Sequence, residues 1–283
     1  MDGLQNFTYY GRMIGFLIRK TFYDIWDNMF RLILVNLGFI VSLTIPIILP
    51  GFMPIPILAI LTSAIGVLWC CVYLSATALS VKAISDHGVF GFADFTANLK
   101  AGWPAGIVLG LAGFFLFIVI RIVIPFYLDM NSLVGLLLGA VIFWTLVPAF
   151  ISFQFFLAIR ARLAVKPIKI IKKCFIIFFD NPGFSIFSVL YTLVTLVLSL
   201  IFALLLPGPA GLLLFLDEGL RLRLLKYDWL EAVSKEVSTS GDAIPPAADS
   251  PRRRAIPWDA LLIEEREKTG TRTFRNFIFP WKD

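Results

Sequence analysis

The chain has few charged residues and almost no histidine for its length of 283 residues. Only 16% of its residues are Asp, Glu, Lys or Arg, whereas a soluble domain carries about 25%. His87 is the only histidine, which excludes a zinc centre built from several histidines and leaves no obvious Ser-His-Asp triad. Cys70, Cys71 and Cys174 form no CxxC spacing, so we expect packing residues. The sequence therefore predicts no catalytic residue, no metal site and no cofactor.

Apolar residues take the place of the missing charges, because 59% of the chain is hydrophobic and the mean hydropathy is +0.86. Six blocks come near the roughly 20 apolar residues that a membrane-spanning helix needs. They cover about 31–49, 57–79, 105–124, 133–158, 184–206 and 209–226. We expect the first block to remain as an anchor, since no small-residue cleavage site follows it. The chain is predicted to be an all-α membrane protein.

Lys and Arg residues occur only in alternate connections between these blocks. The connections with basic residues cover 1–31, 80–103 and 159–183, and those without cover 50–56, 125–132 and 207–210. Basic connections stay on the cytoplasmic side of a membrane. This pattern predicts a multi-pass membrane protein with both termini in the cytoplasm. Charges interrupt the sixth block after Leu216, so five spans followed by an amphipathic helix on the outer surface are the alternative.

A short pattern precedes the first, third and fifth blocks, in which a Phe lies six residues before an Asn. The pairs are Phe22 with Asn28, Phe92 with Asn98 and Phe175 with Asn181, and the loop prolines Pro54, Pro125 and Pro207 follow. The Phe and an apolar residue three positions later share one face of a helix, which favours the headgroup region. The pattern predicts six transmembrane helices as three hairpin repeats, each preceded by an interfacial amphipathic helix.

Charged side chains in the last blocks are the candidate site. Asp217, Glu218 and Arg221 lie within about a third of the circumference of a helix, and Asp217 and Arg221 have the spacing of an ion pair. Arg121, near the outer end of the third block, is expected to join them. Charges within a span are usually paired and face the bundle interior or a cavity. The cluster is therefore a pocket for a solute or ion, an ion pair that holds the last hairpin, or part of an interfacial helix.

Uncharged polar residues inside the blocks have a simpler interpretation. Asn36 lies in the first block and Gln154 in the fourth. Hydrogen bonds between helices explain such residues without a substrate.

Four lysines, Lys166, Lys169, Lys172 and Lys173, precede the fifth block. A basic residue near the surface contributes about 1 kcal/mol of attraction to anionic lipid. The lysines are predicted to contact lipid headgroups, which also suits a loop that sets the topology.

The division of the chain follows from composition. Residues 1–30 are predicted to be a cytoplasmic or interfacial segment, 31–232 a transmembrane domain, 233–251 a flexible linker and 252–283 a cytoplasmic tail. The tail contains the apolar residues Trp258, Ile263, Phe274, Phe277, Phe279 and Trp281, which a purely solvating tail does not need. It either folds back on the bundle or docks on a protein partner. Acidic residues interrupt its basic pattern, which argues against binding to nucleic acid.

Two stretches carry a resemblance to a known family. The polar and aromatic segment Phe92 to Trp103 and the stretch Pro207 to Phe215 resemble those of the YesL-like bacterial membrane proteins, over about residues 25–230. The resemblance implies a six-span inner-membrane protein with an accessory role in solute transport. We therefore expect a non-enzymatic accessory or scaffold protein whose tail contacts a partner. The alternative is a small-solute transporter or permease component that uses a pocket around Asp217 and Arg221.

Overall fold

The structure is a computed structural model that describes residues 2–163, 167–239 and 257–269, and these residues form helices without any strand. The helices are α1 (Asp2–Asp27), α2 (Met29–Ile47), α3 (Pro56–Ser85), α4 (Phe92–Ile118), α5 (Ile124–Asp129), α6 (Leu133–Phe153), α7 (Phe156–Arg162), α8 (Pro167–Asp180), α9 (Pro182–Ile201), α10 (Gly208–Thr239), α11 (Trp258–Leu261) and α12 (Ile263–Thr269). The chain divides into two compact units. We name residues 27–217 the membrane unit, and residues 1–26 with 218–283 the terminal unit.

Within the described residues, five segments are long and apolar enough to cross a membrane. They are Met29–Phe52, Pro56–Ser85, Phe92–Asp129, Leu133–Arg162 and Pro182–Ile201. These segments correspond to the first five predicted blocks, and they define an all-helical membrane protein. Helix α10, which contains the sixth block, is not among them. The layout of six spans in three equivalent hairpins is therefore not confirmed.

The starts of the spans follow local rules of helix capping. Pro56 and Pro182 each occupy the first position of a helix, where the missing N–H of proline costs nothing. Ser132 precedes α6, and its Oγ accepts the backbone N–H of Gly135 at 3.1 Å, which satisfies one free donor of the first turn. Asn181 directly precedes α9, but its side chain makes no capping hydrogen bond to the helix.

Helices α3 and α4 approach each other closely because α4 presents glycines to α3. A Cβ atom added to Gly106 would lie 2.7 Å from the backbone nitrogen of Val72, and one added to Gly110 would lie 2.6 Å from a methyl group of Leu68. Small residues allow such close approach between membrane helices, where packing replaces the hydrophobic driving force. The glycines of α4 therefore fix the contact between the first and second hairpins.

We expect Gly106→Ala to lower the free energy of unfolding by about 1–3 kcal/mol, because the added methyl group overlaps the backbone of α3 and forces the helices apart. Unfolding in detergent micelles, followed by circular dichroism, measures the change. Gly113→Ala is the matched control, because a Cβ at Gly113 on the same helix meets nothing within 4 Å. Equal stability of the two variants would contradict the close contact.

The turn between α9 and α10 differs from the other two hairpin tips. It docks on Asn36, whose Nδ2 donates to the carbonyl oxygens of Leu205 at 2.9 Å and Pro207 at 3.0 Å. Asn36 lies eleven residues before the end of α2 at Ile47, which is about 16 Å along the helix. The first hairpin turns only beyond Ile47, so the last turn stops well short of that level. Helix α10 therefore begins at a different level of the membrane unit from α3.

Within the membrane unit, helix α10 runs back along α9 toward the C-terminal ends of α3 and α7. The rings of Phe215 and Tyr191 stack with their centroids 3.7 Å apart. Helix α10 does not end at Asp217, the last residue of the membrane unit, but continues without a break to Thr239. The prediction that 209–226 crosses the bilayer is not confirmed, because α10 is not among the candidate spans. In the structure, the stretch starts beside Asn36.

The terminal unit contains most of α1, the distal part of α10 and the helices α11 and α12. One face of α1 is buried and includes Met13 and Leu17, both 0% exposed. Helix α10 continues to Thr239, so the predicted linker at 233–251 begins within a helix, and its residues 240–251 lie outside the described residues. Trp258 and Leu262 are also buried.

Candidate functional site

The membrane unit contains a buried ionic cluster centred on Arg162, the last residue of α7. Its Nη2 donates to a carboxylate oxygen of Asp217 and, at 2.7 Å, to Oγ of Ser85. Its Nη1 donates to Oδ1 of Asp86 at 3.1 Å. Ser85 ends α3, and Asp217 lies on α10. One guanidinium therefore joins the ends of α3 and α7 to α10, using several of its five donors.

A kink between α6 and α7 places Arg162 in the cluster. Gln154 lies at this kink, and its Nε2 donates to the carbonyl oxygens of Ile151 at 2.7 Å and of Ser185 on α9 at 3.0 Å. Non-helical backbone within a membrane protein is tolerated where side chains satisfy the free polar groups. The hydrogen bonds expected of Asn36 and Gln154 with other elements are confirmed.

Burial decides how strongly the charges of this cluster interact. Asp217 is 1% exposed and the side chain of Arg162 is 9% exposed, whereas Asp86 is 41% exposed. A buried carboxylate needs a paired cation and hydrogen bonds, because burial removes its hydration. Asp86 keeps much of its contact with solvent, so its pairing is weak. The strong element of the cluster is the Arg162–Asp217 pair.

A second cluster of charges lies in the terminal unit around Lys20 of α1. Its Nζ lies 2.6 Å from a carboxylate oxygen of Asp24 and 3.3 Å from one of Glu218, and the hydroxyl of Thr21 also donates to Glu218. Lys20 and Glu218 are each 1% exposed. Burial lowers the pKa of Lys20, but the negative charges of Glu218 and Asp24 outweigh that effect and raise it. Lys20 therefore pairs with both Glu218 and Asp24.

The C-terminal segment is fastened to α10 within the terminal unit. Arg221 pairs with Glu265 at 2.6 Å. The guanidinium of Arg223 lies 5.7 Å from the ring centre of Trp258, which is a cation–π distance. Trp258 is 3% exposed and Leu262 is 0% exposed. The segment 257–269 folds back on α10 and does not extend into solvent.

The structure separates the residues that were predicted to form one intramembrane cluster. Asp217 pairs with Arg162, Glu218 with Lys20, and Arg221 with Glu265. The expected pairing of Asp217 with Arg221 is therefore wrong. Arg121 is exposed in a π-helical turn at Val119–Val123, toward the end of α4 that lies opposite Phe92, and it does not reach Asp217.

Arg162 and Lys20 are the residues of the two charge clusters that the sequence analysis did not single out. Both were counted only as topology-setting charges. The signal that points to them is the balance of charge, because two adjacent buried carboxylates need cations from elsewhere in the chain.

The predicted lipid-contacting lysines lie on or before α8. Lys169 and Lys172 are exposed, Lys173 is half-buried, and Lys166 lies outside the described residues. The opposite face of α8 is buried and carries Ile170, Cys174 and Ile177. The exposed face continues with Ile176 at 51% and Phe179 at 70% exposure. Lysines followed by apolar side chains on one face suit a helix that enters the bilayer from the headgroups.

The predicted partner-binding residues fall into two groups. Trp258 is buried, and Ile263 is 53% exposed. Phe274, Phe277, Phe279 and Trp281 lie outside the described residues. Trp258 therefore contributes to the fold of the terminal unit.

A metal-binding site in either of the two charge clusters would need a full set of ligand side chains. Among residues 2–163, 167–239 and 257–269, no group of three or more His, Cys, Asp or Glu residues could hold a metal ion. Arg162 and Lys20 each neutralise buried carboxylates. The ion pairs join residues of different helices and so hold those helices together. The chain is thus a helical membrane protein with internal ion pairs.

No family model, curated protein or solved structure matches this chain. The resemblance to the YesL-like proteins has no support from these comparisons, so it stays an expectation.

Proposed function

We propose that the chain is a non-enzymatic integral membrane protein of a bacterial inner membrane that acts as an accessory or scaffold component. Both termini lie in the cytoplasm, and the C-terminal tail contacts a protein partner. Basic residues in alternate connections support this orientation.

The observation that carries the proposal is the anchoring of the segment 257–269. A tail that only confers solubility has no need to bury Trp258 and Leu262 or to pair Glu265 with Arg221. The aromatic stretch from Phe274 to Trp281 follows Thr269 after four residues. Aromatic residues are enriched in protein interfaces and supply much of their binding energy. Because the segment 257–269 is anchored on α10, the aromatic stretch that follows it has a defined attachment point from which it can bind a partner.

Burial of the charged residues argues against the transporter alternative. Asp217 is 1% exposed and bonded to Arg162, and Arg221 is engaged by Glu265. A solute pocket needs polar groups that are open to the solute. The polar groups selected from the sequence are used within the protein instead.

Affinity purification tests the proposed contact. We expect companion proteins to copurify with the full chain, and their yield to fall by at least about tenfold when Phe274, Phe277, Phe279 and Trp281 are all replaced by alanine. The control replaces Thr271 and Thr273 by alanine, which alters the same segment but keeps its aromatic residues. Companions are compared by quantitative mass spectrometry at equal bait.

Two outcomes would contradict the proposal. One is an equal yield of companions from the aromatic variant and from the control. The other is solute uptake into proteoliposomes that Asp217→Asn abolishes, which would favour the transporter.

A further inference from the structure

A groove in the membrane unit lies between the parallel helices α2 and α4. Its volume is about 600 Å³. Val35, Tyr73 and Phe95 form its floor and are buried, whereas Leu34 and Phe92 on its rim are 68% and 85% exposed. Arg31 also lines the groove. An open apolar groove with one cation suggests a ligand that has an apolar part and an anionic part.

The floor of the groove is preformed. The hydroxyl of Tyr73 donates to the carbonyl oxygen of Val35 at 2.8 Å, and its ring lies 5.1 Å from the ring of Phe95. Gly38 lines the groove beside Tyr73, and a Cβ at Gly38 would overlap the Tyr73 hydroxyl. These contacts within the protein hold the floor in place, which lowers the ordering cost of binding.

Arg31 lies at one end of a candidate span, and the ends of a membrane-spanning helix are the parts that meet the lipid headgroups. It is in the first turn of α2, at the start of the first candidate span, and the groove continues along α2 to Gly38, seven residues or about 10 Å farther toward the membrane core. Among the described contacts, Arg31 makes a single side-chain hydrogen bond, from Nη1 to Asn28 at 3.1 Å. Its other N–H groups can bind phosphate oxygens in the planar geometry that guanidinium favours.

We propose that this groove binds one anionic glycerophospholipid, with its phosphate on Arg31 and an acyl chain along the floor of Val35, Tyr73 and Phe95. Charge complementarity selects the occupant, because Arg31 is the cation that lines the groove. Asp94 accepts the backbone N–H of Gly91 at 2.8 Å and does not line the groove. The site is separate from the lysines of α8 and does not depend on the role of the tail.

Native mass spectrometry of the full chain tests the site, with equimolar phosphatidylglycerol and phosphatidylcholine added to the detergent-solubilised protein. We expect the wild type to retain one phosphatidylglycerol in preference, and Arg31→Gln to lower that preference about fivefold, the effect of one basic residue near the surface. Arg121→Gln is the matched control, because Arg121 is also exposed on a candidate span but does not line the groove. We expect this control to keep the wild-type preference.

A second variant tests the apolar part of the site. Thr96 lines the groove on α4, and Thr96→Phe fills the space and should remove the retained lipid. An unchanged preference in Arg31→Gln, or an equal loss in Arg121→Gln, would overturn the proposal. The wild type could also form a dimer that Thr96→Phe abolishes without changing the lipid preference. That result would assign the groove to a second copy of the chain and would also overturn the proposal.

Discussion

Arg162→Met is expected to lower the free energy of unfolding by about 3–5 kcal/mol, because it leaves the carboxylate of Asp217 buried without a cation. The loss includes the hydrogen bond of Arg162 to Ser85. Reversible unfolding in mixed detergent micelles, followed by circular dichroism, measures the effect.

Two further variants test whether the loss of stability comes from the broken ion pair or only from the change in side-chain size at position 162. Replacing the pair together, as Arg162→Met with Asp217→Leu, should restore most of the stability, since apolar replacements of a buried pair are often neutral. Asp86→Asn should cost less than about 1 kcal/mol, because Asp86 is 41% exposed. A single variant Arg162→Met as stable as the wild type would show that the pair does not hold the helices together.

The second large effect is expected from Asn36→Leu. The side chain of Asn36 is 0% exposed and satisfies backbone groups of the last turn. It donates to Leu205 and Pro207, and its Oδ1 accepts the N–H of Ala210 at 2.9 Å. Each buried polar group left without a partner costs about 1–3 kcal/mol, so we expect a loss of about 3 kcal/mol or more. Hydrogen exchange at residues 205–210 should rise in the same variant.

Asn98→Leu is the control for this substitution. The side chain of Asn98 makes one hydrogen bond, from its Nδ2 to Oγ of Ser80 at 2.9 Å, so its loss should cost about 1 kcal/mol. An equal loss of stability in both variants would contradict the claim that the hydrogen bonds of Asn36 to the last turn contribute more than one ordinary hydrogen bond.

The spans could be predicted from the sequence because hydropathy is a local property. A run of apolar residues near the length of the bilayer core identifies a span wherever it occurs, and the five candidate spans coincide with the first five predicted blocks. The sixth block is not among the candidate spans, so its crossing of the bilayer is not confirmed. Its stretch has the right length in isolation, but Asn36 holds its start deep in the membrane unit, which no local pattern shows.

Partners of the buried charges could not be predicted for the same reason. Asp217 was expected to pair with Arg221 on the next helical turn, but its partner Arg162 is 55 residues away. Glu218 pairs with Lys20, which is 198 residues away. The sequence shows that a buried carboxylate needs a cation, whereas only the packing of the helices decides which cation reaches it.

Substituted-cysteine labelling with a membrane-impermeant maleimide tests the central claim, which is that the first two hairpin tips lie across the bilayer from both termini. The background is a chain in which Cys70 and Cys71 are replaced by serine. Burial raises the pKa of the Cys174 thiol to about 12, which keeps that residue unreactive. Gly208 is buried against Asn36 and is not a suitable reporter.

In intact cells, Met53→Cys and Asn131→Cys should react with the reagent from outside. Lys235→Cys, at a side chain that is 73% exposed in the terminal unit, should react only after the membrane is permeabilised. Reaction of Met53→Cys and Asn131→Cys only from the cytosolic side would contradict the account.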